Sequence, residues 1–180
     1  MAWHNGNVPS SGTLDGFIDR IAHGDTQALE ALYHTTSAGV YAYALSVLKN
    51  SHDAEDVLQD CFLRIHDSAS TYRSQDKPMA WILTITKNLC YKRLDQQRKM
   101  GCEPLEEWKD YTDTNHRATT DDKVVIQACM ELLADDERQI VVLHAVSGFK
   151  HREIAKMMGI PLSTVLSKYH RTIKKLKAVI

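Results

Sequence analysis

Residues 151–165, His151-Arg152-Glu153-Ile154-Ala155-Lys156-Met157-Met158-Gly159-Ile160-Pro161-Leu162-Ser163-Thr164-Val165, are where this chain is most specific. Their pattern is that of two short helices joined by a sharp turn. Ile154 and Ala155 fall on the inner face of the first helix, and the small Ala155 lets a second helix cross closely. Gly159 supplies the left-handed residue that ends the first helix. Pro161 and Ser163 open the second, with Val165 and Tyr169 on its core side. The spacing predicts helices over 151–158 and roughly 162–177, the design of a helix-turn-helix.

On the second helix, Ser163 and Thr164 stand near the start. The expected outward residues are Thr164, Ser167, Lys168, His170, Arg171, Lys174 and Lys175. Such a face fits a major groove, with its N-terminal half at base edges and its basic tail on phosphates. A helical hairpin with a solvated cationic face is the plainer alternative.

Charge supports the first reading once it is divided by segment. The 180 residues carry a net charge of −1, which taken whole argues against nucleic acid. Residues 1–86 carry −5, residues 87–100 carry +4, residues 101–122 carry −5, and residues 150–177 carry +7. The positive charge thus lies in two blocks, consistent with two phosphate-binding surfaces.

Upstream, apolar residues recur at helical spacing. Leu14, Phe17, Ile18 and Ile21 follow Thr13, a candidate N-cap, and Gly24 stops the run. Thr26 is the candidate cap of a long helix through Leu29, Leu32, Tyr33, Tyr41, Leu45 and Leu48. Asn50 to Asp53 breaks that pattern. Asp53 is then the expected cap of a helix burying Val57, Leu58, Cys61, Phe62 and Ile65. After a polar stretch, Pro78 starts a helix with Trp81, Ile82, Ile85 and Leu89. From Met100 to Asp122 the periodicity is lost among acids, Gly101 and Pro104. Val124 to Leu133 predicts a short helix, and Asp135 or Asp136 caps another ending at Gly148. No segment alternates with period two. The expected fold is all-α, with two small helical domains, 1–100 and 123–180, joined by a flexible acidic linker, 101–122.

The pairing of Asp53-Ala54-Glu55-Asp56-Val57-Leu58-Gln59-Asp60-Cys61-Phe62 with Glu153-Ile154-Ala155, Pro161 to Val165, Ser167-Lys168 and His170-Arg171 resembles the RNA polymerase sigma factors of bacteria. The resemblance is to the small extracytoplasmic-function group, which keeps regions two and four, and it covers about residues 14–177. It implies binding to core RNA polymerase through the helix at 53–66, with Asp56, Gln59, Asp60 and Arg64 as contacts. An exposed acidic and amide face on a rigid helix suits a basic partner. It implies recognition and melting of a −10 element by Tyr72, Arg73, Ser74, Gln75, Lys77, Trp81, Lys87, Asn88, Lys92 and Arg93. Aromatic and amide groups there would capture an unstacked base while the basic residues hold the backbone. Trp81 has a core role as its plain alternative. The −35 element would be read by Ser163, Thr164, Ser167, Lys168, His170, Arg171, Lys174 and Lys175. An anti-sigma factor, in some systems anchored in a membrane, is the implied regulator.

The chain departs from the family pattern in places. Ser163 stands where Gly is common, Leu166 replaces a basic residue, and Lys92 stands where an acid is frequent. Lys150 stands where a Ser or Thr cap is common, so the helix at 151 is expected to start less firmly.

Other classes fit less well. No run of about 18 apolar residues marks a membrane span. Residues 1–12 lack a cationic start and apolar core, so a cytoplasmic location is expected. Cys61, Cys90, Cys102 and Cys129 form no CxxC pair, and the nine His are scattered without an HExxH. No metal, cofactor or catalytic activity is therefore expected, and the four thiols are expected to be buried small hydrophobes. An autonomous helix-turn-helix regulator that binds an operator unaided is the remaining competitor.

Overall fold

The computed structural model describes residues 11–74, 77–101 and 131–178. Helices make up most of those residues, and no strand occurs among them. In chain order it comprises α1 (Ser11–Ala22), α2 (Thr26–Leu48), α3 (Ser51–Ser68), a 3-10 turn (Ala69–Thr71), α4 (Pro78–Lys99), α5 (Asp135–Val141), a π-helical segment (Val142–Val146), α6 (His151–Met158) and α7 (Leu162–Lys177).

Two helix starts are set by side chains upstream of those expected, and two others by a Glu within the first turn. Thr13 lies inside α1 rather than at its cap. Asp25, not Thr26, caps α2: its Oδ1 accepts the N–H groups of Gln27 and Ala28 at 2.9 and 3.1 Å. Asn50, not Asp53, caps α3, its Oδ1 accepting the Asp53 N–H at 3.0 Å. That frees the Asp53 carboxylate for a tertiary role. Asp135 and Asp136 lie within α5, where they face the positive end of its dipole. Glu137 closes that end by accepting the Ala134 N–H at 3.2 Å. The same device secures α6 despite Lys150, because Glu153 accepts the Lys150 N–H at 3.1 Å. Gly159 takes φ 69 and ψ 29 as the turn requires, and Pro78 opens α4 at its first position.

α2 is the central helix. Leu14, Ile18 and Ile21 of α1 pack on it, as do Ile65 of α3 and Ile82 and Leu83 of α4. The same apolar cluster continues into Ile140, Val142, Leu143, Ile154 and Val165, so the two helical units meet in the described structure. A second cluster lies among α2, α3 and α4, with Tyr41, Leu45, Leu48, Ala54, Val57 and Cys90.

Cys61 and Cys90 are free and buried, while Cys102, Cys129 and the expected helix at 124–133, up to residue 130, lie outside the described residues. Burial pushes the Cys61 thiol up to about 11 and the Cys90 thiol up to about 12. In folded protein at pH 8, maleimide should therefore modify these two at least about 100-fold more slowly than in denaturant, since the thiolate is the nucleophile. Mass spectrometry after timed labelling checks this, and labelling at the unfolded rate would show the thiols open to solvent.

Candidate nucleic-acid interface

Three surfaces carry the residues singled out by sequence. The first is the outer face of α3. Its inner stripe, Val57, Cys61, Phe62 and Ile65, is buried, which turns Gln59, Asp60 and Arg64 outward. Asp56 is also exposed, but its Oδ2 pairs with Arg93 Nη2 at 3.0 Å. Leu63 lies in the same outer strip with 64% of its surface exposed. The sequence reading did not single it out. Its signal was its position: an apolar residue three beyond Asp60 that falls off the buried stripe.

The second surface surrounds the start of α4. The Tyr72 hydroxyl donates to Asp15 Oδ1 at 2.6 Å, and its ring meets Trp81 at 4.7 Å between centroids. Trp81 is half-buried, so it serves the core and the surface together. Arg73 and Ser74 are exposed, and Gln75 lies outside the described residues. A groove of about 270 Å³ runs between α3 and α4, lined by Arg64, Ser68, Ile85, Asn88, Leu89 and Lys92. It brings Arg64, expected on a polymerase-facing surface, beside Asn88 and Lys92 of the DNA-facing set.

Three basic residues of that set have partners within the chain. Lys77 Nζ pairs with Glu153 Oε1 at 2.9 Å. Lys87 Nζ donates to the Met157 carbonyl at 2.7 Å. Arg93 Nε donates to Asp53 Oδ1 at 2.8 Å, while Gln97 Nε2 donates to Asp53 Oδ2 at 2.6 Å. Arg93 thus braces α4 against α3 rather than standing free for a phosphate.

The third surface is α7. Ser163, Ser167, His170, Arg171 and Lys174 are exposed, and Thr164 is half-exposed. Ser167 Oγ donates to the Thr164 carbonyl at 3.0 Å. Lys168 and Lys175 do not point outward as expected. Lys168 pairs with Asp136, and Lys175 Nζ donates to Glu137 Oε2 at 2.7 Å. The physical reason lies in spacing and charge. The two lysines are seven residues apart and share a helix face, and that face lies against the acidic first turn of α5. The outward cations of the helix are therefore Arg171, Lys174 and Lys177.

Behind α7 sits an aromatic cluster. His144 and His151 stack at 4.3 Å, and Tyr169 meets them edge-on at 4.9 and 4.6 Å. Burial, with His144 and His170 nearby, holds His151 below the usual histidine range. No group of three or more potential metal ligands occurs among the described residues.

The α5–α7 pairs make this unit acid-sensitive. Desolvation pushes the Asp136 and Glu137 carboxyls up, but the lysine hydrogen bonds and charges outweigh it, and both sit below their ordinary values of 3.8 and 4.5. Lowered folded values mean stability that is complete above the ordinary carboxylate range and is lost as pH falls through the folded values. Thermal melts should thus decline slightly below about pH 6.5, where the half-buried His151 resists charging, and decline further below about 4 as these two carboxyls protonate. The double variant Lys168→Met/Lys175→Met should show a smaller decline, and an identical decline would remove the pairs as its source.

Residues 32–100 match the family described as Sigma-70 region 2, and residues 123–176 match Sigma-70, region 4. The chain is 27% identical over 153 residues to the ECF RNA polymerase sigma factor SigM of Mycobacterium tuberculosis (strain ATCC 25618 / H37Rv), across 85% of this chain and 77% of the relative. It is 23% identical over 175 residues to the ECF RNA polymerase sigma factor SigK of Mycobacterium ulcerans, covering 93% of each. Among solved structures it is similar to the sigma factor RpoE bound to the anti-sigma factor NepR from Bartonella quintana, with a TM-score of 0.64, 18% identity, and 83% and 94% of the two chains covered. CnrH in complex with the cytosolic domain of CnrY gives a TM-score of 0.61 at 19% identity, over 93% and 96%. These two structural likenesses establish a shared fold.

Proposed function

The chain belongs to the sigma-70 family of RNA polymerase sigma factors, in its ECF group, and from that membership we propose how its surfaces divide the work of promoter-specific initiation. Residues 1–100 form the polymerase- and −10-binding domain, 101–122 the linker, and 123–180 the −35-binding domain. Gln59 and Asp60, flanked by Asp56 and Arg64, dock on core RNA polymerase. Leu63 adds an apolar anchor at the centre of that strip, the kind of residue that carries interface energy once desolvated.

Tyr72, Arg73, Ser74, Gln75, Trp81 and Asn88 receive a −10 base, with Lys77, Lys87 and Lys92 on the backbone. Arg93 belongs to that region as a positioning residue, since its guanidinium is held by Asp53 and Asp56. On α7, Ser163, Thr164, Ser167 and His170 face −35 base edges while Arg171 and Lys174 hold phosphates. Lys168 and Lys175 orient that helix through α5, and reach DNA only by exchanging a carboxylate for a phosphate.

DNA opening then draws on binding energy alone, so the chain acts as a regulator without chemistry of its own. An anti-sigma factor holds it inactive, as NepR is bound to RpoE. Among the described residues no helix is long and apolar enough to cross a membrane, and the proposed site of action is the cytoplasm, where polymerase works. The observation that carries the reading is the presence of regions 2 and 4, in order, on one chain.

The test is transcription by purified bacterial core polymerase on a genomic fragment library, with and without this protein. Discrete start sites that appear only with the protein are expected. Arg171→Ala should lose them while core binding persists. No stimulation, with tight operator binding by the protein alone, would instead make it an autonomous regulator.

A further inference from the structure

The half of α7 proposed to face −35 bases lacks the side chains that most often read them. Residues 162–170 hold no Arg, Asn or Gln, and Lys168 is their one Lys. Lys168 is committed to Asp136. Bidentate recognition of guanine and adenine uses those four residue types, so this stretch cannot employ it. The outward cations Arg171, Lys174 and Lys177 all lie further along the helix, on the part suited to phosphates.

What remains on the outer face is three hydroxyls, an imidazole and one apolar side chain. Ser163, Ser167 and His170 are exposed, and Thr164 is half-exposed. Ser167 Oγ already donates to the Thr164 carbonyl at 3.0 Å, so towards a base it acts as an acceptor. Ser and Thr pair with several base edges and discriminate weakly among them.

Leu166 is different in kind. It is 38% exposed and lies outside both apolar clusters, whereas Leu162 and Tyr169, one turn to either side, pack on the first. Helical spacing puts it in one outer strip with Ser163, three residues before it, and His170, four after. The major groove offers such a side chain one apolar partner, the C5-methyl group of thymine.

We propose that Leu166 is a specificity residue of the −35 contact: it packs on the 5-methyl group of a thymine, so that one base pair of the element is read by apolar contact rather than by hydrogen bonding. Which element is read rests on the sigma-factor reading; the contact itself needs only that α7 enter a major groove.

Deoxyuridine tests this, because exchanging dT for dU removes the methyl group and leaves base pairing intact. Random duplexes are first selected by the full chain with core polymerase and, separately, by the chain alone. Each thymine of the upstream element in the selected sequence is then exchanged singly for dU, and affinity is read by fluorescence competition. At one position dU is expected to weaken binding about fourfold, the loss of one buried methyl group. Leu166→Ala should bind the dT and dU duplexes equally, with an unchanged melting temperature because the site is on the surface. Leu166→Arg should lose the methyl effect and select guanine there.

The absence of any methyl-sensitive thymine, or sensitivity that persists in Leu166→Ala, would overturn the proposal. If Leu166→Ala instead weakened binding to core polymerase without DNA, Leu166 would be a protein contact and the proposal would fail. A specific duplex selected by the chain alone and none with polymerase would sink the sigma-factor reading, while the same exchange in that duplex still decides the methyl contact. If neither selects a sequence, both fall.

Discussion

Arg93→Ala is expected to lower the stability of the chain by about 2–3 kcal/mol, between the cost of an exposed ion pair and that of a buried one. The Asp53 side chain is only 12% exposed. Without the guanidinium its Oδ1 has lost a charge-assisted partner, and Gln97 satisfies only Oδ2. Such a carboxylate retains the cost of desolvation without the compensating bond. Arg93→Lys should recover about half of the loss, because an ammonium cannot reproduce the fork that reaches both Asp53 and Asp56. Urea denaturation of the three proteins measures this. A residue that only touched DNA phosphate would behave otherwise: stability would be unchanged, and the salt slope of DNA binding would fall by about one. That pattern would return Arg93 to the DNA contacts.

Asp60→Arg is expected to weaken binding to core polymerase by about 30-fold or more while leaving stability within about 0.5 kcal/mol of the parent. The side chain is exposed on the outer face of α3, so its reversal disturbs no packing. Against a basic partner, an attraction becomes a like-charge contact in a partly desolvated interface. Leu63→Ala should cost about tenfold at the same surface by removing apolar area alone. The two effects separate by salt: the Asp60 variant should be strongly salt-dependent and the Leu63 variant weakly so. Fluorescence titration of labelled chain with core polymerase gives all three affinities. Unchanged binding in both variants would place the docking surface elsewhere.

The helical pattern was legible because it is local. Leu14, Ile18 and Ile21, or Val57, Cys61 and Ile65, repeat at the helix period, and Gly159 and Pro161 punctuate the turn at 159–161. Caps were less legible. Thr13, Thr26 and Asp53 are all good cap residues, but Asp25 and Asn50 compete one to three positions upstream, and the choice follows backbone geometry at the junctions. Lys150 illustrates the reverse, since Glu153 secures a helix whose cap residue has no polar acceptor.

What the sequence alone determined is therefore what neighbours along the chain decide: an all-helical protein, the helix-turn-helix, two basic blocks, and the exposed strip around Gln59 and Asp60. The tertiary structure decided which charges are free. Arg93, Lys168 and Lys175 look like phosphate ligands in the sequence, and each is answered by a carboxylate that lies 40, 32 or 38 residues away along the chain. Lys77 and Lys87 are answered from 76 and 70 residues away. The reason is that helical periodicity specifies the face on which a side chain lies, whereas the partner of a long, flexible cation is set by which helix packs against that face.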